Sequence, residues 1–180
     1  MDDDLYGDAP ASTALKAAAL RGKLLHALFE QFSGGDLGAF QIAAVQWLGR
    51  NNPEQDFNHQ TAVAEVIAVM QNPDWAELFS KSARAEVPLA ALVGTTVITG
   101  RVDRLLVEDD RVRLIDFKTG RNVPQNETAV STPILRQMAH YVAALESIFA
   151  PRKIEAALLY TNGPSMIELS ADVLAPHKPV

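Results

Sequence analysis

The stretch Thr99–Gly120, TGRVDRLLVEDDRVRLIDFKTG, decides the fold of this 180-residue chain. Two runs rich in Val, Ile and Leu flank the polar centre EDDR, which is the pattern of a β-hairpin with a tight turn. Charged residues interrupt both runs, because Asp103 lies in the first run and both Asp116 and Lys118 lie in the second. A charge within an apolar strand costs several kcal/mol of desolvation unless something compensates it. The three charges therefore indicate a site.

The turn sets the register of this hairpin. If Asp109 and Asp110 form a two-residue turn, the numbers of paired residues add to 219, and Asp103 faces Asp116. Lys118 lies two residues beyond Asp116 and points from the same face. Two carboxylates held together repel unless a cation lies between them, and a divalent metal with oxygen ligands would compensate them. The alternative is that both carboxylates pair with neighbouring Arg or Lys side chains on a solvated face.

Composition limits the classes of protein and of site. Hydrophobic residues make up 48% and charged residues 21%, which are ordinary values for a globular protein. Cysteine is absent, which excludes disulfides, zinc–thiolate sites and cysteine-ligated iron–sulfur clusters. No apolar run approaches the roughly 20 residues that cross a bilayer, and the first ten residues are acidic where a signal peptide is basic. We expect a cytoplasmic protein with no membrane partner and a disordered acidic tail at 1–11.

Net charge neither requires nor excludes a nucleic-acid substrate. The value of −6 is the wrong sign for binding through bulk electrostatics. From Arg101 to Arg121, however, six Lys and Arg residues stand against five Asp and Glu residues, and a metal would add positive charge there. Phosphate-loop, dinucleotide-binding and Gly-x-Ser-x-Gly motifs are absent, so nucleotide-driven motors, nicotinamide chemistry and α/β-hydrolase chemistry have no support.

Helices are predicted before the hairpin and a crossover after it. The early helices are expected over 12–32, 36–50, 54–70 and 74–79, and a strand over 85–90 leads to a turn near Gly94. A strong helix from Thr132 to Phe149 is followed by strands over 154–160 and 166–169 and a frayed tail. A helix between two strands permits a parallel crossover and hence a mixed sheet. We expect one α/β domain over 12–175, helical over 12–82 with a sheet core over 83–170.

Several polar residues outside the hairpin are further candidates. His26 lies off the apolar stripe of its helix, and Gly22 one turn earlier leaves space beside it. Gln137 and Tyr141 lie one turn apart at one edge of the last long helix, so both can reach one cleft. Glu86 enters the strand before the hairpin. Each has a simpler interpretation, namely a surface histidine, boundary residues that bond to solvent and an ordinary surface acid. The remaining histidine of the helical region, at position 59, is predicted on the surface.

Four motifs in this order resemble the RecB-type branch of the PD-(D/E)XK nucleases. They are Gly22-Lys23-Leu24-Leu25-His26, Gly100-Arg101-Val102-Asp103, Asp116-Phe117-Lys118-Thr119-Gly120 and Gln137-Met138-Ala139-His140-Tyr141. The sequence around them is most similar to the C-terminal nuclease domain of bacterial AddA helicase–nuclease subunits, over about residues 12–170. The resemblance implies a restriction-endonuclease-like fold, in which helices flank a mixed β-sheet.

The resemblance also implies a divalent metal centre. Mg²⁺ or Mn²⁺ would be bound by His26, Asp103, Asp116 and the backbone carbonyl of Phe117, with Glu86 as a further candidate. A metal in this position would polarise a phosphoryl oxygen and stabilise the charge of an in-line displacement. The activity implied is exonuclease-type hydrolysis of DNA phosphodiester bonds.

The remaining motif residues have implied roles beside that metal. Lys118 would orient or help to deprotonate the attacking water and offset charge on the phosphate. Gln137 and Tyr141 would position the DNA strand or the residues that hold the metal.

Partners follow from the same resemblance. They are single-stranded DNA ends, the helicase portion of a full-length chain and an AddB-type subunit, all acting in double-strand break repair and recombination. AddB subunits carry four cysteines for an iron–sulfur cluster, and no such cluster is expected here. The chain looks like an excised domain or a stand-alone relative. The rival hypothesis is a non-catalytic nucleic-acid-binding or subunit-docking domain that retains the fold, although such a domain has no need of paired carboxylates.

Overall fold

A computed structural model describes residues 13–31, 35–54 and 57–179, and the structural statements below concern these residues. Three helices come first: α1 (Thr13–Gln31), α2 (Leu37–Asn51) and α3 (His59–Met70). A 3-10 helix (Pro73–Phe79) leads into strands β1 (Arg84–Val93), β2 (Thr96–Val107) and β3 (Arg111–Lys118). Helix α4 (Thr132–Phe149) connects β3 to β4 (Lys153–Tyr160), and β5 (Ser165–Leu169) precedes the short α5 (Ala171–Leu174). Among the described helices, none is both long and apolar enough to span a membrane.

The strands form one mixed sheet in the order β1-β2-β3-β4-β5. Neighbours are antiparallel except β3 and β4, which are parallel because α4 carries the chain back across the sheet. Pro88 lies in the edge strand β1, where its missing N–H group costs least. The predicted α/β fold, a mixed sheet flanked by helices, is confirmed.

The β2–β3 hairpin has the predicted register. Its paired residues run from Val107–Val112 to Arg104–Ile115, and every pair adds to 219. The ladder ends there, one pair short of Asp103 and Asp116. The expectation that these two carboxylates face each other as a rung is therefore wrong, and Asp103 instead accepts a hydrogen bond from the Phe117 N–H group through its side chain.

Two hydrophobic cores lie on opposite faces of the sheet. Even-numbered residues of β3 and β4, such as Leu114 and Leu158, pack against α4 in what we call the α4-side core. Odd-numbered residues, such as Ile115 and Phe117, pack against the first three helices in what we call the N-terminal core. The alternation follows from the two-residue period of a strand. It directs Asp116 and Lys118 towards α4 and Phe117 towards the helical layer.

Other details differ from the predicted elements. Helix α3 begins at His59 rather than near position 54, because Asn58 caps it and accepts a hydrogen bond from the Thr61 N–H group. His59 is half-buried, with Nε2 3.2 Å from Asn52 Nδ2, so the surface prediction for it is wrong. The predicted frayed tail, 175–180, begins with a 3-10 turn over Ala175–His177. The acidic tail and both predicted ends of the first helix, at positions 12 and 32, lie outside the described residues.

Candidate active site

The sheet is distorted where Glu86 and Asp103 meet. The neighbouring β1–β2 pairs are Ala85–Arg104 and Val87–Val102, but Glu86 and Asp103 do not form a rung between them. Val102 and Leu105 both pack in the α4-side core, although residues three apart in a regular strand face opposite sides. Glu86 has a φ of +50°, which is the left-handed region that non-glycine residues rarely adopt. Such backbone costs roughly 1–3 kcal/mol and is concentrated at functional sites.

This distortion brings three potential metal ligands together. One ligand atom each from His26, Glu86 and Asp103 lies within 4.8 Å of the other two. His26 Nδ1 is 3.3 Å from Asp103 Oδ1, and the side chain of Asp103 is only 12% exposed. The second oxygen of Asp103 accepts a hydrogen bond from the Phe117 N–H group at 2.7 Å, which fixes the carboxylate against the end of β3. Imidazole nitrogen with two carboxylates is a donor set that suits a divalent metal ion.

Asp116 lies beside this cluster and has a different immediate partner. It is 5% exposed, and the Lys118 ammonium nitrogen is 2.6 Å from its Oδ2. No described donor makes a well-directed hydrogen bond to that buried oxygen. The solvated-face alternative is therefore wrong for Asp116, and its buried oxygen with incomplete hydrogen bonding is compatible with a cation nearby. Its predicted role as a metal ligand stays a prediction.

Gln137 and Tyr141 extend the site along α4. Lys118 Nζ donates to Gln137 Oε1 at 3.5 Å, and Gln137 Nε2 donates to the Tyr141 hydroxyl at 3.4 Å. The same hydroxyl accepts the Arg101 N–H group at 3.3 Å. A Cβ at Gly100 would lie 2.5 Å from Tyr141 Cε1, so this glycine leaves the space that the ring occupies. The two α4 residues thus contact both the lysine and the strand that contains Asp103.

The first motif packs on the third. A Cβ at Gly22 would lie 2.9 Å from Thr119 Oγ1, so the absence of a side chain at Gly22 allows α1 to approach the end of β3 this closely. The Phe117 side chain is buried and stacks on Phe29 with ring centroids 4.4 Å apart. This packing anchors β3 and directs the Asp116 and Lys118 side chains to the other face.

The charges of the His26 cluster and of the Asp116–Lys118 pair affect each other's pKa values. Burial by itself would lower the pKa of His26, but the hydrogen bond and charge of Asp103, together with Asp116 and Glu86, raise it above the ordinary value. Burial raises the pKa of Asp116, and repulsion from Asp103 adds to that effect, while Lys118 and His26 act against it. Three acids therefore lie close together, with Lys118 paired to Asp116 and Arg101 3.2 Å from Glu86, and a bound cation would lower the repulsion between the acids.

The structure thus divides the predicted residues into two adjoining groups. His26, Asp103 and Glu86 form the ligand cluster, although sequence alone left Glu86 as the weakest candidate. Asp116, Lys118, Gln137 and Tyr141 form a chain of contacts beside it. The interpretation of His26 as a freely solvated residue is wrong, because its side chain is 30% exposed and contacts Asp103.

Sequence reasoning missed a second set of polar residues around the site. Glu65 bonds to Arg21 and to Thr161, and Arg21 also reaches the Thr119 carbonyl. A possible signal was the single acid in the apolar helix HQTAVAEVIAVM. Arg104 was also missed as a buried residue: it is 1% exposed, it donates to the Phe29 carbonyl, and burial lowers its pKa to about 10 against the effect of nearby acids.

Comparison with known proteins identifies the family. A family model described as PD-(D/E)XK nuclease superfamily matches residues 4–172. No curated protein sequence matches the chain significantly. Among solved structures, the crystal structure of SSO0001 is similar at 14% identity and a TM-score of 0.38, over 91% of this chain and 83% of that one. That likeness is too low to inform function. The family model spans nearly the whole chain, and this chain therefore belongs to the PD-(D/E)XK nuclease superfamily.

Proposed function

We propose that the chain is a divalent-metal-dependent deoxyribonuclease domain of the RecB-type branch, with exonuclease-type action on single-stranded DNA ends. Membership of the superfamily suggests a nuclease. The single observation that supports catalysis most is the cluster of His26, Glu86 and Asp103, whose ligand atoms lie within 4.8 Å of one another beside the buried Asp116–Lys118 pair. A domain that only binds nucleic acid gains nothing from acids that repel phosphate.

The residues divide the chemistry between them. A bound Mg²⁺ or Mn²⁺ supplies Lewis-acid polarisation of the phosphoryl oxygen. His26, Glu86 and Asp103 would hold the ion, and Asp116 and the Phe117 carbonyl are proposed to complete the protein ligands.

Lys118 and its neighbours would act on the attacking water and the strand. The lysine ammonium, 2.6 Å from Asp116 Oδ2, would orient the water and offset charge on the phosphate as the displacement proceeds. Gln137 contacts Lys118 at 3.5 Å and Tyr141 at 3.4 Å, so it would fix the lysine relative to the DNA strand.

The wider setting is also a proposal. Similarity of the four motifs to AddA subunits supports a role beside a helicase portion and an AddB-type subunit in double-strand break repair and recombination, in the cytoplasm. We propose that residues 12–175 act as one nuclease domain. A net charge of −6 predicts weak intrinsic affinity for DNA, so a motor or partner would deliver the strand. Salt-insensitive nanomolar binding of this chain to DNA would contradict that part.

Cleavage of end-labelled single-stranded DNA tests the proposal. We expect degradation that needs Mg²⁺ or Mn²⁺, stops with a chelator and is abolished by Asp116→Ala and by Lys118→Ala. Asp110→Ala in the hairpin turn and Lys153→Ala at the opposite end of the sheet are matched controls that should cleave normally.

Two results would contradict a catalytic role. One is a folded chain that binds DNA but cleaves nothing with either metal. The other is equal loss of activity in the site variants and the controls, because the effect would then not arise from the site.

A further inference from the structure

A buried polar relay connects the N-terminal helices to the end of β3. Glu65 on α3 accepts a hydrogen bond at each carboxylate oxygen, from Arg21 at Oε2 and from the Thr161 hydroxyl at Oε1. The Glu65 side chain is 13% exposed, and Thr161 is fully buried. A buried carboxylate needs such partners, because an unpaired buried charge is strongly destabilising.

Both ends of the relay hold backbone carbonyls beside the proposed catalytic lysine. The Thr161 N–H group donates to the Lys118 carbonyl at 3.0 Å. Arg21 Nη1 donates to the Thr119 carbonyl at 3.4 Å. Two successive carbonyls, of Lys118 and Thr119, are therefore held, the first by the Thr161 backbone and the second by the Arg21 side chain.

Docking of the helices does not require this relay. Helix α3 already buries Val63, Val66 and Ile67 in the N-terminal core, and a buried ion pair is weak evidence for added stability. What the relay adds is a hydrogen bond to the Thr119 carbonyl, directly after the β3–β4 ladder ends at Lys118–Tyr160. The direction of the lysine side chain depends on the backbone at residues 118 and 119, and its ammonium nitrogen lies 2.6 Å from Asp116 Oδ2.

We propose that Arg21, Glu65 and Thr161 are positioning residues that hold the Lys118 ammonium in place for the reaction. The inference rests on the proposed nuclease function, which gives the position of the Lys118 ammonium its catalytic role. The position itself can be measured without activity. The relay acts through Lys118, since its hydrogen bonds join its three members and reach the carbonyls of residues 118 and 119.

Two substitutions of one residue separate positioning from packing. Thr161→Val keeps the volume and removes the hydroxyl, whereas Thr161→Ser keeps the hydroxyl and removes a methyl group. We expect Thr161→Val to lower kcat on single-stranded DNA by roughly 10- to 100-fold with little change in KM, since small misplacements of reacting groups have effects of this size. Thr161→Ser should retain most of kcat. Affinity for Mn²⁺ should be unchanged in both variants.

A nuclear magnetic resonance measurement supplies a readout that does not depend on activity. Thr161→Val should shift the amide signals of residues 118–120 and the Lys118 side-chain signals, and Thr161→Ser should not. Thr128→Val is a matched control, because it also removes a hydroxyl hydrogen bond, to Asn126 at 2.7 Å, but on the surface. Glu65→Gln gives a second test if Thr161→Val does not fold, and the same loss of kcat and the same shifts are expected.

The outcomes are distinguishable. Equal kcat in the valine and serine variants, or kcat that follows thermal stability alone, overturns the inference. If the wild-type chain cleaves nothing, the proposed function fails, and the spectra decide the inference by themselves. Valine-specific shifts at Lys118 then support the relay, and unchanged Lys118 signals overturn it.

Discussion

The substitution Gly100→Ala tests the packing that places Tyr141 against the strand of Asp103. The new methyl carbon would lie 2.5 Å from Tyr141 Cε1 and 2.6 Å from Cζ, both inside van der Waals contact. Tyr141 is 8% exposed within the α4-side core, so its ring cannot swing into solvent without opening that core. Either the ring or β2 must move.

The expected cost follows from two effects. Overpacking a core typically costs about 1–3 kcal/mol. The hydroxyl contacts with Arg101 N at 3.3 Å and Gln137 Nε2 at 3.4 Å would also weaken, at about 1 kcal/mol each or less. We expect the free energy of unfolding to fall by roughly 2–4 kcal/mol, measured by urea denaturation followed by circular dichroism. Gly49→Ala is the matched control, since a Cβ there meets nothing within 4 Å and α2 should gain up to about 1 kcal/mol.

A double-mutant cycle tests whether the Tyr141 ring causes this loss of stability. In a Tyr141→Ala background the clash is absent, so Gly100→Ala should then cost little, with a coupling energy on the order of 1–3 kcal/mol. Equal costs of Gly100→Ala in the two backgrounds would show that the tyrosine ring does not set the requirement for glycine.

Three further predictions concern single features of the site. Glu86 has a left-handed backbone, so Glu86→Gly should be more stable to urea than Glu86→Ala by about 1 kcal/mol, the reverse of an ordinary strand position; a more stable alanine variant would refute this. Asp103 and the other acids outweigh the effect of burial and raise the pKa of His26. Protonation of His26 therefore stabilises the metal-free fold fully below the ordinary pKa of 6.5, and this stabilisation is lost as pH rises through the raised pKa. Binding of Mn²⁺ to His26 displaces that proton, so the Mn²⁺ affinity measured by calorimetry should increase as pH rises above 6.5, and should increase less in His26→Asn. A pH-independent Mn²⁺ affinity of the wild-type chain would count against His26 as a ligand. Gly22→Ala meets only the rotatable Thr119 hydroxyl at 2.9 Å, so thermal unfolding should show a loss below about 1 kcal/mol, and a loss above about 3 kcal/mol would mean that the backbone is in the way.

The hairpin shows how much of the fold the sequence determines. A two-residue turn at Asp109 and Asp110 sets the pairing of β2 with β3, and the observed pairs agree with it as far as Arg104–Ile115. Local turn chemistry and apolar alternation are sufficient for such an element. The crossover at α4 was predictable because a helix lies between two strands, and the edge position of β1 because Pro88 lacks an N–H donor.

The site was less predictable where the structure departs from local rules. Strict alternation placed Asp103 opposite Asp116, but the ladder stops before them, and the left-handed backbone at Glu86 accompanies a switch of faces on β2. Strain of this kind depends on tertiary contacts and leaves no periodic signal. Contacts between distant elements, such as Glu65 with Thr161, also lie beyond periodicity.

Anomalous diffraction from a crystal of this chain soaked in Mn²⁺ tests the central claim most directly. We predict one strong peak bonded to the carboxylates of Asp103 and Glu86 and to a ring nitrogen of His26, with Asp116 close enough to join the coordination. Asp103→Asn should remove the peak, while Asp110→Asn in the hairpin turn should leave it. A soaked wild-type crystal with no peak at these residues, or with a peak only elsewhere, would contradict the assignment of this cluster as the metal centre of a nuclease.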